Sequence, residues 1–285
     1  MPAGVPLLLV DGHNLLWRAA FGFPAAISSR DKTRDLTAPF GFVALLRVAI
    51  REEIPAAPEV LVVFDGQYGA VERQDTDASY KANRVLDENA LKPIRAIPQV
   101  QEALTAHGLN WIEIDTAEAD DVIATLVAAS TRKHPDRQVW VMSGDRDFYQ
   151  LLTEQVRALN TAMHPGNRHI GPAEVHTRYG VTPAQWPCFC ALKGDTTDNI
   201  PGVRGIGAAT AAKLLAGGLR LEDLPTSDRL AGAKKAALTS AWSQVLTWRD
   251  LIRMRTDLPL PLHPTGLASP ALPRPAEVIE KLGLW

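Results

Sequence analysis

Very little in this chain's composition defines it, and each shortage excludes a class. Its 285 residues include two cysteines, which rules out a disulfide-dense secreted scaffold. Cys188 and Cys190 are too sparse for a thiolate zinc site without outside help, and they read as reduced helix residues of a cytosolic protein. No apolar run approaches the roughly 20 residues that a membrane span needs. The start, MPAGVPLLLVDGHN, lacks the basic leader of a signal peptide, and neither end carries a lipidation signal. No charge dominates: 30 Lys+Arg stand against 32 Asp+Glu, a formal net of -2. That balance excludes an all-over basic coat for nucleic acid and leaves room for a local basic track. The seven histidines are scattered and form no H-E-x-x-H set. Internal repeats and coiled-coil heptads are also absent. The expectation is a soluble, cytoplasmic protein with no membrane partner.

What remains is ordinary enough to fold: 46% apolar and 22% charged residues can bury a sizeable core. Segments 5–10, 60–64, 111–114 and 139–142 read as strands, and the first, second and fourth are apolar throughout, as in a sheet covered on both faces. Helical patterns over about 40–54, 98–107 and 119–131 lie between them. The alternation predicts an α/β fold with a mostly parallel sheet. Three of these strands run into an acid: Asp11, Asp65 and Asp145. In open α/β sheets the functional crevice lies beyond the strands' C-terminal ends, so three acids are delivered to one place. Residues 67–97 are polar, neutral overall and too long for an ordinary connection. They read as a partly helical excursion beside that crevice. After about residue 160 the texture becomes helical, and from Pro259 a proline-rich stretch reads as a wrapping segment with a short final helix.

Three further segments concentrate carboxylates. TAEADDVIATL places Glu118, Asp120 and Asp121 in one helical first turn. Capping alone favours acids there, yet three together repel unless a cation or proton offsets them. SGDRDFYQLL adds Asp145 and Asp147, and ALKGDTTDNIPG adds Asp195 and Asp198. Hard divalent ions such as Mg²⁺ take carboxylate and water oxygens. Two ions about 4 Å apart can position a water and stabilise the leaving oxygen of a phosphodiester. GVRGIGAATAAKLL holds Gly202, Gly205 and Gly207 before a helix. This is either a backbone nest for a phosphate or a packing joint between two helices. It lacks the Gly-Lys-Ser/Thr ending of a P-loop.

VDGHNLLWRA, VVFDG, SYKANR, EADDVIATL, SGDRDFYQLL and LKGDTTDNIPGVRGIGAATAAKLL, in this order over roughly residues 5–220, resemble the motifs of the 5′-3′ exonuclease/flap endonuclease family. The bacterial branch, comprising the N-terminal nuclease domain of DNA polymerase I and its free-standing relatives, is the nearest in pattern. The resemblance implies a PIN-like core over 1–165, with a helical arch at about 67–97. It also implies a helix–three-turn–helix duplex-binding subdomain over 166–258, leaving 259–285 as the wrapping segment or tail.

By motif position, Asp11, Asp65, Glu118 and Asp120 resemble a first-metal set, with Asp121 as a direct or water-mediated partner. Asp145, Asp147, Asp195 and Asp198 resemble the set that completes a second site. The resemblance implies two Mg²⁺ or Mn²⁺ ions, with Asp120 and Asp145 central to catalysis. Lys81 would face the scissile phosphate, Arg84 would hold an adjacent one, Tyr80 would stack on an unpaired base, and Arg73 would be a further DNA contact. Gly202, Gly205 and Gly207 would grip the duplex, with a monovalent cation such as K⁺ at the turn and Arg204 and Lys213 on phosphates nearby. Gly41-Phe42 matches a family pair and would lie near the duplex end.

The implied substrate is DNA with a 5′ flap, nick, gap or 5′ end, cut to 5′-phosphate and 3′-hydroxyl. The chain would be monomeric, with nucleoid-associated work in a bacterium, and a polymerase or ligase would be a pathway partner. No polymerase domain would accompany it. Two other readings stand beside this one: a structure-specific DNA-binding module without catalysis, and a PIN-type ribonuclease acting on RNA or RNA-primer hybrids.

Overall fold

In the computed structural model, which describes residues 4–83 and 87–285, a six-stranded sheet forms the centre. The strands are β1 (Leu7–Asp11), β2 (Glu59–Phe64), β3 (Asn110–Glu113), β4 (Val139–Met142), β5 (Val156–Leu159) and β6 (His169–Ile170). Their spatial order is β3-β2-β1-β4-β5-β6, and only β6 runs antiparallel to its neighbour.

The apolar runs are continuous because both sheet faces are covered. Leu7, Leu9, Leu61, Val63 and Val141 face a core shared with α6 (Ala119–Lys133) and the helical half of the chain. Leu8, Val10, Val60, Val62 and Met142 face the opposite core. That core is built with α1 (Gly12–Gly22) and α2 (Thr37–Glu52). Each fully buried Leu or Val contributes about 1.5–3 kcal/mol by leaving water.

The expected strands and helices are present, within a few residues at their ends, and the mostly parallel sheet is as predicted. α2 starts at Thr37, ahead of the expected boundary, because Pro39 sits in the first turn, where no intrahelical partner is lost. β5 and β6 went unrecognised. β5 is four residues interrupted by Arg157, and β6 is only two residues long.

The excursion holds α3 (Val71–Thr76) and α4 (Glu88–Arg95), followed by α5 (Ile97–Ala106). The helical half contains α7 (Pro172–Tyr179), α8 (Trp186–Lys193), α9 (Ala208–Leu215), α10 (Gly232–Ser240) and α11 (Trp242–Ile252). Among the described residues no helix is long and apolar enough to cross a membrane.

The segment after Pro259 ends in α12 (Pro275–Lys281), whose Val278 enters the core beside α2. Its approach is fixed by Glu59, buried at the start of β2. Glu59 accepts from the backbone N–H groups of Thr265 (2.6 Å) and Gly266 (2.9 Å) and from Arg137 (2.6 Å). Burial opposes the Glu59 charge, but these donors outweigh it and hold its pKa below the usual value of 4.5. A carboxylate depressed in the folded state stabilises it above the unfolded pKa, and that contribution is lost as pH falls through the folded value. Glu59→Ala leaves Arg137 buried without its counter-charge and is expected to cost about 3–5 kcal/mol. Urea unfolding at pH 7 measures the loss. The difference from the parent chain should shrink below about pH 4.

Candidate active site

β2, β1 and β4 are neighbours, so Asp65, Asp11 and Asp145 leave adjacent strand ends on one edge of the sheet. Asp11 caps α1, its Oδ1 accepting from the Asn14 N–H (2.9 Å), while its Oδ2 accepts from the Ser143 hydroxyl (2.8 Å). Asp65 accepts from the Ala119 N–H at the start of α6 (2.7 Å). That contact brings α6's first turn, and with it Asp120, to the strand ends. The approach requires Gly66, because a Cβ there would lie 1.9 Å from the Ile114 carbonyl oxygen. Asp11, Asp65, Asp120 and Asp145 line one cleft of about 520 Å³ with His13, Trp17, Lys81 and Thr197.

The crowding is visible in the acids' proton affinities. Burial, then Asp65 and Asp145, raise the Asp11 pKa to about 7. Burial, then Asp145, Asp11 and Asp65, raise the Asp120 pKa well above its ordinary value. Asp147 is raised by burial and by Asp145, Asp198 and Asp195. Asp145 is therefore common to two groups: Asp11, Asp65 and Asp120 on one side, and Asp147, Asp195 and Asp198 on the other. Asp147 accepts from the Trp186 indole N–H (3.2 Å) and donates its own N–H to Asp145 (2.9 Å). Asp195 is held by paired backbone hydrogen bonds with Ile200, each 2.7 Å. Its carboxylate lies 3.5 Å from Lys193 Nζ.

Glu118, Asp121, Arg73 and Tyr80 stand apart from this cleft. Glu118 accepts from Lys81 Nζ (2.6 Å), the Tyr80 hydroxyl (3.2 Å) and Arg73. Burial opposes its charge, but Lys81 and Arg73 prevail and lower its pKa. Asp121 is fully buried between Arg73 Nη2 (2.7 Å) and Arg255 Nε (2.9 Å), so both its oxygens are engaged in ion pairs. Arg73 also donates to the Leu251 carbonyl (3.0 Å), so its guanidinium is held within the protein. Tyr80 is 3% exposed, which corrects the expectation of base stacking. Gly41 and Phe42 lie inside α2, with Phe42 stacked on Phe64 in the core, so they serve packing and not a duplex end.

Lys81 is 9% exposed and lines the cleft. Burial works against its charge, but Tyr80, Glu118, Asp120 and Asp198 outweigh burial and keep it protonated. Its φ of +54° is left-handed, a cost of order 1–3 kcal/mol for a side-chain-bearing residue. The Lys81 N–H donates to the Asp198 carbonyl (3.1 Å), and Asn199 donates to the Ser79 carbonyl (2.8 Å). The foot of the excursion is thus tied to the loop carrying Asp195 and Asp198. Arg84 lies outside the described residues.

Gly202 and Gly205 have φ of +71° and +81°, as a nest of outward N–H groups requires. Gly202 could not be replaced, since a Cβ would meet the Gly194 nitrogen at 2.3 Å. Gly207 caps α9, and Arg204 and Lys213 are exposed beside the turn. Lys234 on α10 also borders it, with Cγ 3.9 Å from where a Gly205 Cβ would sit. Sequence reading missed Lys234, along with His13, whose Nδ1 accepts from the Asp65 N–H (3.0 Å). It also missed Trp17, which is 41% exposed and 5.2 Å from Phe21 between ring centroids. Arg255 was unreadable for a different reason: it meets Asp121 across 134 residues of sequence.

Crowded carboxylates beside one charged lysine are a donor set for hard divalent cations. Carboxylates gathered beside a charged lysine in one cleft are the arrangement used by metal-dependent hydrolases of phosphodiesters. Comparison with known proteins narrows it. The model for the 5′-3′ exonuclease N-terminal resolvase-like domain matches residues 6–180, and that for the 5′-3′ exonuclease C-terminal SAM fold matches 181–273. The chain belongs to the 5′-3′ exonuclease family.

DNA polymerase I of Thermus aquaticus is 34% identical over 278 residues, 97% of this chain and 32% of the polymerase. DNA polymerase I of Bacillus subtilis is 34% identical over 264 residues, 92% of this chain and 28% of the polymerase. The chain therefore spans about a third of these relatives' length. A structure of bacteriophage T5 5′-exonuclease with zinc bound shares the fold, with a TM-score of 0.69 at 22% identity. That match covers 87% of this chain and 89% of the T5 chain.

Proposed function

We propose that this chain hydrolyses DNA phosphodiesters at 5′ ends and at 5′-flap junctions, leaving 5′-phosphate and 3′-hydroxyl products. The observation that carries the reading is the convergence of Asp11, Asp65, Asp120 and Asp145 around one cleft that also holds Lys81. Asp11, Asp65 and Asp120 would hold one divalent ion and Asp147, Asp195 and Asp198 a second, with Asp145 shared. Mg²⁺ and Mn²⁺ suit these carboxylate oxygens. When bound, such ions activate the attacking water and neutralise charge on the leaving oxygen.

The remaining work falls to side chains of this chain. Lys81 leaves Glu118 for the scissile phosphate and donates to its non-bridging oxygen, while Arg73 keeps Glu118 charged and in place. Trp17 offers a face for the base beside that phosphate. The glycine turn, with Arg204, Lys213 and Lys234, holds the duplex backbone, and its carbonyls suit a monovalent ion such as K⁺. Arg84 would take an adjacent phosphate. The chain would act as a cytoplasmic monomer beside a polymerase and ligase.

Single-turnover cleavage of a 5′-labelled DNA flap, with and without Mg²⁺ or Mn²⁺, tests the reading. The expected result is metal-dependent cutting at the flap junction. Tight binding without cutting would make the chain a structure-specific DNA binder. Faster cutting of a matched RNA arm would make it a primer-removing nuclease. In the same assay Lys81→Met is expected to lower the rate roughly 10²-fold with little change in DNA affinity. An unchanged rate would remove Lys81 from the mechanism.

A further inference from the structure

Cys190 stands where the second group of acids converges. Its Sγ and one oxygen each of Asp147 and Asp195 all lie within 4.8 Å of one another. The three residues come from separate places: a 3₁₀ turn after β4, the body of α8, and the loop beyond α8. The end of α8 closes on Cys190 itself, whose carbonyl accepts from the Gly194 N–H (2.8 Å), and Asp195 follows directly. Trp186, at the other end of α8, fixes Asp147 through its indole N–H. One helix thus positions both carboxylates around its own thiol.

We propose that Cys190 adds a sulfur ligand to the Asp147–Asp195 ion site, so that this site captures thiophilic divalent ions such as Zn²⁺ or Cd²⁺. The inference rests on the assignment of Asp147 and Asp195 to an ion site. Mg²⁺ has little use for sulfur, whereas zinc and cadmium bind mixed sulfur–oxygen sets readily. On capture the Sγ–H bond breaks, the proton passes to buffer, and the sulfur lone pair forms the bond to the metal. Cys188 supplies an internal control. Two positions along α8 it lies on a different face from Cys190, with Arg249 and Glu222 among its charged neighbours.

The test titrates Cd²⁺ into the reduced full chain and follows the ultraviolet thiolate-to-cadmium charge-transfer band. The band is expected to saturate near one equivalent in the unaltered chain and in Cys188→Ser, and to be absent in Cys190→Ser. A band that persists in Cys190→Ser, or no band in the unaltered chain, overturns the proposal. Zinc-edge X-ray absorption on the unaltered chain needs no substitution: one sulfur in the zinc shell is expected, and a shell of oxygen and nitrogen alone overturns it. Mn²⁺ binding, read by electron paramagnetic resonance in Asp147→Asn, separates the two layers. Unchanged Mn²⁺ binding defeats the ion-site assignment itself. Weakened Mn²⁺ binding with no cadmium band in the unaltered chain defeats the sulfur ligand alone.

Discussion

Asp145→Asn is expected to lower single-turnover flap cleavage by roughly 10³-fold while leaving DNA affinity within a few-fold of the parent chain. Asp145 faces both groups of acids, since Asp120 and Asp147 each sense it as their strongest charged neighbour. Asparagine keeps the shape and can still accept from the Asp147 N–H, so the loop after β4 should hold. The substitution removes one like charge from the cluster, so without divalent ions the variant should be at least as stable as the parent. Quench-flow cleavage and filter binding on the same flap measure the two quantities. A rate within tenfold of the parent would show that Asp145 does not bridge the ions.

The second large effect belongs to Arg73. Its guanidinium meets Glu118, Asp121 and the Leu251 carbonyl, two acceptors at the start of α6 and one near the end of α11. Arg73→Ala leaves Glu118 with Lys81 and Asp121 with Arg255, each buried acid short of one partner. A loss of about 3–5 kcal/mol is expected in urea unfolding. Cleavage should fall as well, by roughly 10²-fold, because Lys81 must then stay with Glu118 and the foot of the excursion shifts. Arg73→Lys should not rescue, since a single ammonium cannot reach all three acceptors with fork geometry. Unchanged stability with weakened DNA binding would return Arg73 to the DNA surface, where the sequence reading had placed it.

The contrast between these residues shows what the sequence exposes. β1, β2 and β4 were legible because a strand covered on both faces is apolar without interruption. Their terminal acids were legible because the strand itself marks the position. The positive-φ turn at Gly202 and Gly205 was legible because glycine is the residue that adopts such a backbone cheaply. β5 was hidden by Arg157 in its middle, and β6 by its length.

The division of labour inside EADD was hidden as well. Glu118, Asp120 and Asp121 look alike in sequence, and only the folded chain shows Asp120 in the cleft while Asp121 faces two arginines. Tyr80 and Lys81 likewise look like a solvent-facing pair. Their burial depends on Glu118 and on the 195–199 loop, which no local pattern announces. Ion pairs between residues far apart in sequence carry no periodic signal, so a reading based on periodicity and local motifs cannot find them.

On the proposed function, two carboxylate groups share Asp145 and hold a pair of divalent ions. Anomalous scattering from a crystal of the full chain grown with Mn²⁺ tests it most directly. Two peaks about 4 Å apart are predicted, with Asp145 between them, Asp11, Asp65 and Asp120 around one, and Asp147 and Asp195 around the other. A single peak held by Glu118 and Asp121, or peaks that leave Asp145 without a metal contact, would contradict it.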